Sequence, residues 1–243
     1  MDQKSFFYPE SKYGNYTNID GTILFYLRVN SLLSKSSHLL DVGCGRGECG
    51  DDLIEIRRNL RIFKGKVSKV IGIDVNISGI ENPFLDEFRQ IIGLNWPIDN
   101  GSIDIIICDW VIEHVNDTEK FFSEAKRVLK KDGIIFIRTP NKWNYVTILS
   151  KLIPNRFHSK ILSVAQPRKK EMDVFPTYYQ CNTIPSIKNR LSNAGLKDIV
   201  VFCYDAEPAY LSFSKFAYRM GVLHQKISPQ IFKSTLIAIA KNL

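Results

Sequence analysis

Apolar residues along the 243-residue chain gather in short runs, and these alternate with stretches of helical spacing. Leu39, Leu40 and Val42 form one run, interrupted only by Asp41. Val67, Val70, Ile71 and Ile73 form a second, Phe88 to Gly93 a short third, Ile103 to Cys108 a fourth and Ile134 to Arg138 a fifth. Such runs, bounded by Gly, Asn, Asp and Pro, predict strands buried on both faces of a parallel sheet. Helical spacing predicts a helix from Asp20 and Gly21 through Leu33, another over Asp51–Leu60, and a third from Asn116 to Gly133. In the third, Phe121, Phe122, Ala125, Val128 and Leu129 share a face, Asn116 and Glu119 have capping-box spacing, and Gly133 supplies a stop. Pro185 to Ala194 predicts a fourth helix, followed by strands at Lys197–Tyr204 and Thr235–Lys241. The expected fold is α/β: a Rossmann-like, doubly wound, seven-stranded sheet.

A hydrophobic fraction of 44% is enough for the core of a single domain spanning 1–243. No stretch approaches the roughly 18 apolar residues of a membrane span, and the first residues lack the basic start and apolar block of a secretory signal. The five cysteines are odd in number and never spaced CxxC, which argues against a disulfide framework or a zinc site. A reducing cytoplasm is the expected location.

The chemistry gathers at Ser37–Gly50, SHLLDVGCGRGECG, where a strand breaks into glycines before a helix. Strand, glycine turn, helix is how open α/β sheets present a nucleotide site. Two patterns overlap there. Gly45, Gly47 and Gly50 fit GxGxxG, the dinucleotide fingerprint of NAD-linked oxidoreductases. Gly43, Gly45 and Gly47, with Asp41 two residues ahead, fit (D/E)xGxGxG. A carboxylate at the strand end repels a pyrophosphate but suits a cofactor that carries an ammonium group. Asp74 ends the second strand, where a carboxylate accepts hydrogen bonds from ribose hydroxyls.

The (D/E)xGxGxG pattern resembles motif I of the class I methyltransferases that use S-adenosyl-L-methionine. The stretch NWPIDNGSIDIIICDWVIEHVND resembles that family's LPFxDxSFDxVxxxxVLEHVxD, with Trp96, Pro97 and Ile98 standing at LPF. The resemblance covers Leu39–Asn141. It implies that the last strand is antiparallel and slots between the fifth and sixth. The chain then divides into a leading cap (1–36), a cofactor-binding half (37–141), a helical, basic insertion over the acceptor cleft (142–182), where the alternation is interrupted, and a C-terminal half on the acceptor side (183–243). By the same resemblance, Asp41 and the backbone of Gly43, Cys44, Gly45 and Gly47 hold the amino-acid end of the cofactor. Asp74, with Val75 beside it, holds the ribose, Trp96 packs on the adenine, and Asp109 and Trp110 border the sulfur. The acidic residue that many relatives place before LPF is missing, so adenine recognition falls to backbone groups or Asn95.

His114 is the candidate general base, because an imidazole suits proton removal from a hydroxyl; Tyr178, Tyr179 and His158 are alternatives. In some relatives ExxEH binds a metal, but Trp110 replaces its first carboxylate, so no metal is expected. The net charge of +8 lies wholly in Gly133–Lys170, which holds eight basic residues and no acidic one. Within it, Lys142–Lys170 predicts two short helices split by Pro154, a lid packed over the acceptor cleft that also touches an anionic surface, either membrane headgroups, as a peripheral contact to an anionic membrane, or a phosphorylated acceptor. No base-methylase motif follows the fourth strand, and the window lacks aromatic interleaving, so nucleic acid is not the expected acceptor. EMDVFPTYYQCNT resembles a piece of bacterial methyltransferases of surface glycans and glycolipids. The expected acceptor is a small-molecule, glycan or lipid hydroxyl. A dinucleotide oxidoreductase and a non-catalytic binding module remain as alternatives.

Overall fold

The computed structural model describes residues 3–144 and 176–243; the predicted helices of the basic window, and His158, lie outside the described residues. Seven strands form one sheet: β1 (His38–Val42), β2 (Lys69–Asp74), β3 (Glu87–Gln90), β4 (Ile103–Asp109), β5 (Leu129–Pro140), β6 (Lys197–Tyr204) and β7 (Thr235–Lys241). Their order is β3-β2-β1-β4-β5-β7-β6. All neighbours are parallel except β7, which runs antiparallel between β5 and β6. The chain reverses direction of winding beside β1, so the ends of β1, β2 and β4 open the crevice in which α/β sheets bind ligands.

Six α-helices accompany the sheet among the described residues: α1 (Gln3–Phe7), α2 (Gly21–Ser31), α3 (Glu55–Arg61), α4 (Thr118–Val128), α5 (Ile184–Asn193) and α6 (Lys215–Ile227). Strand alternation sends Leu40, Val42, Ile106 and Ile135 to one face, where α4 and α5 cover them with Phe122, Ala125, Ile187 and Leu191. Leu39, Ile105, Ile107 and Phe136 face the other way, against Phe25, Tyr26 and Val29 of α2. Asp41 shares the alternation of Leu39 and therefore lies on the α2 side.

Several boundaries differ from the sequence-based expectation, each for a local reason. The α4 cap is Asp117, whose carboxylate accepts the Lys120 N–H at 2.9 Å, and not Asn116. That helix ends at Val128, and Leu129 already pairs with Ile103. Gly133 does not stop a helix; it lets β5 approach β4, since a Cβ there would lie 3.0 Å from the Ile103 carbonyl oxygen. The helix expected from Asp51 starts at Glu55, because residues 48–51 form a 3-10 turn and Asp52 accepts the Ile54 N–H at 3.0 Å. The third strand ends at Gln90, before the left-handed Gly93 (φ +78°). The tract 206–233 contains a helix, α6, that its spacing did not predict.

The entry to α2 is a close approach. Asp20 caps the helix by accepting the N–H groups of Thr22 and Ile23 at 2.9 and 3.0 Å. A Cβ on Gly21 would overlap the Tyr204 hydroxyl, and Tyr204 is held in the sheet. Gly21→Ala should therefore cost about 1–3 kcal/mol, read as a lower urea midpoint with unchanged slope.

Candidate active site

The turn after β1 is built from the inside outward. The Gly43 N–H donates to the Ile73 carbonyl at 2.8 Å, which folds the turn back onto β2. Gly43, Gly45 and Gly47 have φ of +70°, +50° and +84°, a region closed to most side chains. A Cβ on Gly43 would also strike Val111. The buried Asn82 amide clamps the turn from outside, donating to the carbonyls of Cys44 and Gly45 at 3.0 and 3.3 Å. The sequence reading missed Asn82, which lies in a segment without periodicity. The Cys44 side chain is buried, so only its backbone is left to meet a ligand there.

Asp74 stands at the end of β2 as expected. One oxygen accepts the Gly45 N–H at 3.1 Å and the other the Asn76 N–H at 2.8 Å. Its lone pairs are not exhausted by these bonds. Val75 beside it is exposed, as are Ile92, Leu94 and Asn95 beyond β3. The Ile91 N–H donates to the Asp74 carbonyl at 2.8 Å, which brings those two segments together.

Asp41 is half-buried in β1. Burial, and next the charge of Asp109, push its carboxyl up to about 7; Asp74 adds to this and Arg61 opposes it. Three carboxylates thus converge where β1, β2 and β4 end. The acids beside Asp41 act on it through their charges and the turn next to it offers backbone groups, an arrangement that suits an ammonium-bearing ligand.

One of the expected contacts is corrected. Trp96 is only 5% exposed and packs edge-on against Phe121 at 5.1 Å within the core beside α4. Its backbone N–H donates to the buried Glu124 carboxylate at 2.7 Å. The ring serves the core and is not available to an adenine. Asp109 does not present a free carboxylate: Arg138 binds its two oxygens at 2.6 and 2.7 Å, and the Tyr26 hydroxyl donates to Oδ2 at 2.8 Å. Through its charge Asp109 also raises the neighbouring Asp41 carboxyl. Asp109 and Arg138 are direct partners across β4 and β5. The signal was present in the sequence: both are the lone charge closing an apolar run.

Trp110 follows at the strand end, 42% exposed and with φ +59°. A left-handed tryptophan is strained, and such strain gathers at functional sites. Its N–H donates to the Arg138 carbonyl at 2.8 Å, and the Arg138 guanidinium lies 5.4 Å from its ring centre. One turn on, Glu113 is buried. It accepts the Thr139 hydroxyl at 2.9 Å, and Asn182 donates to that hydroxyl at 2.6 Å. Burial raises the Glu113 carboxyl above its ordinary range. The Glu113 carbonyl accepts the N–H groups of Tyr178 and Tyr179, which ties that segment to the site. His114 Nδ1 lies 2.9 Å from the Pro176 carbonyl oxygen. A carbonyl only accepts, so in the neutral ring the proton sits on Nδ1 and the lone pair on Nε2.

The raised Asp41 carboxyl has a pH signature. The unfolded chain releases this proton near pH 3.8 and the native state near pH 7. Between those values the native state holds more protons, so its stability falls as pH rises. Asp41→Asn should remove that loss and raise the melting temperature of the ligand-free protein at pH 8, by about 2–4 °C for each kcal/mol recovered. The gain should shrink toward pH 4. In calorimetry the same variant should lose about tenfold or more in affinity for S-adenosylhomocysteine.

Comparison with known proteins fits this geometry. Residues 19–201 match the model of the methyltransferase domain family. A ubiquinone biosynthesis O-methyltransferase of Pelagibacter ubique is 29% identical over 125 residues, 49% of this chain and 48% of that protein. A ubiquinone/menaquinone biosynthesis C-methyltransferase of Campylobacter jejuni is 33% identical over 117 residues, 45% of this chain and 48% of that one. The match thus spans about half the length of these curated relatives. In fold, the chain is similar to a SAM-dependent methyltransferase from Archaeoglobus fulgidus, with a TM-score of 0.55 and 18% identity over 97% of this chain and 99% of that one. The family match decides against the dinucleotide reading of Gly45, Gly47 and Gly50, and the chain belongs to the methyltransferase domain family of class I, S-adenosylmethionine-dependent enzymes.

Proposed function

We propose that the chain methylates a hydroxyl oxygen on a small acceptor with a glycan or lipid part. The observation that carries this reading is His114, whose ring Nδ1 lies 2.9 Å from the Pro176 carbonyl oxygen and which stands beside the Trp110–Glu113 turn. The P. ubique relative, by name an O-methyltransferase of ubiquinone biosynthesis, supports an oxygen acceptor with an apolar portion. The cofactor supplies a methyl group already activated by the positive charge on its sulfur. The protein has then to hold, aim and deprotonate.

Asp41 and the glycine turn bind the ammonium end, and ionisation of Asp41 on contact strengthens the pair. Asp74 takes the ribose hydroxyls. Val75, Ile92 and Leu94 offer the adenine an apolar surface, with Asn95 as its polar contact. Trp110 walls the reacting centre, held by Arg138. As the new carbon–oxygen bond forms and the carbon–sulfur bond breaks, the acceptor's hydroxyl proton passes to His114 Nε2. Glu113 lies 4.0 Å from that nitrogen and stabilises the resulting imidazolium.

His114→Ala should lower turnover by about 10²–10⁴-fold with cofactor affinity intact; full activity would remove the base role. Asp74→Ala should instead weaken cofactor binding, by about tenfold or more. For the acceptor, purified protein and methyl-labelled cofactor should be given to an extract of the source cells, then separated into lipid, glycan, RNA and protein. Label in the lipid or glycan fraction is the expected result. Label confined to RNA or protein sinks the proposal, and cofactor binding without any label favours a non-catalytic binding module.

A further inference from the structure

Helix α6 is apolar on two opposite sides. Its inner side buries Tyr218 and Val222 against the N-terminal segment around Phe7 and Tyr8, and Gly221 against Pro208 and Leu211. Its outer side carries Phe216, Met220, Leu223 and Ile227, spaced four, three and four apart, which is one stripe of a helix. All four are exposed, Phe216 at 74% and Ile227 at 70%. Phe213 precedes the stripe, and Ile231 and Phe232 follow it, also exposed. Trp143, at the end of the β5 segment, completes a shallow groove of about 480 Å³ against this helix. Exposed large apolar side chains scattered singly need no explanation, but a continuous stripe with aromatic ends does.

Charge selects the occupant. Pro208 to Leu243 contains no Asp or Glu. Lys215, Arg219 and Lys226 lie along one flank of the stripe, all exposed, and none has a carboxylate partner among the described residues. A second copy of this face would set these cations against one another. The chain's own segment from 145 to 170 is also basic and has no acidic residue. An anionic bilayer fits both features: its acyl boundary takes Phe, Leu, Ile and Trp, and its headgroups take Lys and Arg.

We propose that the outer face of α6, with Phe213, Phe232 and Trp143, docks on an anionic lipid bilayer. The surface stands at the functional edge of the sheet. Trp143 follows the C-terminal end of β5, and Asn141 there donates to the carbonyls of Ile231 and Lys233, both at 2.8 Å. Docking would bring the crevice at the ends of β1 and β4 toward the lipid surface. That use rests on the lipid acceptor proposed above; the docking itself does not.

The test is co-sedimentation of the full chain with phosphatidylglycerol–phosphatidylcholine vesicles and with phosphatidylcholine alone. Binding is expected to the first only, and it should weaken as salt rises. Each basic side chain near the surface contributes about fivefold, so Lys215→Glu with Arg219→Glu should cut partitioning by more than about twentyfold. Phe216→Ser with Leu223→Ser should abolish it. Affinity for S-adenosylhomocysteine should be unchanged in both, which reports an intact fold. Absence of binding by the wild-type chain overturns the proposal, whether residues 145–175 or only water meet the stripe. So does binding that survives the helix variants and is lost on Lys169→Glu with Lys170→Glu. A concentration-dependent dimer that Phe216→Ser dissolves would make the face a contact between copies, and would equally overturn it.

Discussion

The buried pair Asp109–Arg138 holds the active edge of this protein together. Both side chains are under a tenth exposed, and a charge removed from water that far is tolerated only when paired and hydrogen-bonded. Burial disfavours the guanidinium, but Asp109 more than offsets it and Arg138 stays charged. The pair is then completed from three directions. Tyr26 of α2 donates to Asp109, Arg138 donates to Thr22 of α2 at 3.1 Å, and the ring of Phe25 lies 5.1 Å from the guanidinium. The leading helix is therefore fastened to β4 and β5 at the point where they deliver ligand-facing residues. Losing either charge would strand the other, which typically costs more than the pair contributes when intact.

The consequences reach the chemistry through the backbone. Arg138 supplies the carbonyl that holds the left-handed Trp110 and the cation that lies over its ring. From Trp110 the chain enters the 112–114 turn, which carries Glu113 inward and His114 outward. Thr139, the residue after Arg138, meets Glu113 in turn. Two successive residues of β5 thus hold Trp110 and the buried Glu113, while the neighbouring imidazole of His114 is met by the Pro176 carbonyl. The strain at Trp110 is stored where the surrounding contacts over-determine it, as functional strain requires.

The sheet was legible because its signal is carried by short, unbroken apolar runs with polar ends. That held for β1, β2, β4 and β7, and the glycine turn with Asp41 and Asp74 followed from the same runs. What escaped was set by tertiary context. Trp96 looked like a ligand contact because it stands in a recognisable stretch, but α4 presents Phe121 and Glu124 to it and draws it inward. Asn82 lies in an aperiodic segment, and nothing local says that its amide reaches back to Cys44 and Gly45. The Asp109–Arg138 pairing was not read from the sequence because the two lie on different strands, and only the strand register brings them side by side.

Helix α6 escaped for a different reason, and that reason bears on what the helix does. A surface helix is recognised by one apolar face and one polar face. Here Tyr218 and Val222 face the protein while Phe216, Met220, Leu223 and Ile227 face away, so the period blurs and the tract reads as a loop rich in aromatics. A helix that is apolar on both sides is normally buried on both. This one is buried on one, and the cations beside its outer stripe are also unmet by any described carboxylate. The second apolar face is not needed for folding, because the inner face already docks the helix. It exposes aromatic and aliphatic side chains to water at a cost of roughly 1.5–3 kcal/mol each relative to burial. The feature that hides the helix from periodicity is therefore one that no other described residue of the fold uses, and an anionic lipid surface, the occupant proposed above, would use both the stripe and the cations beside it.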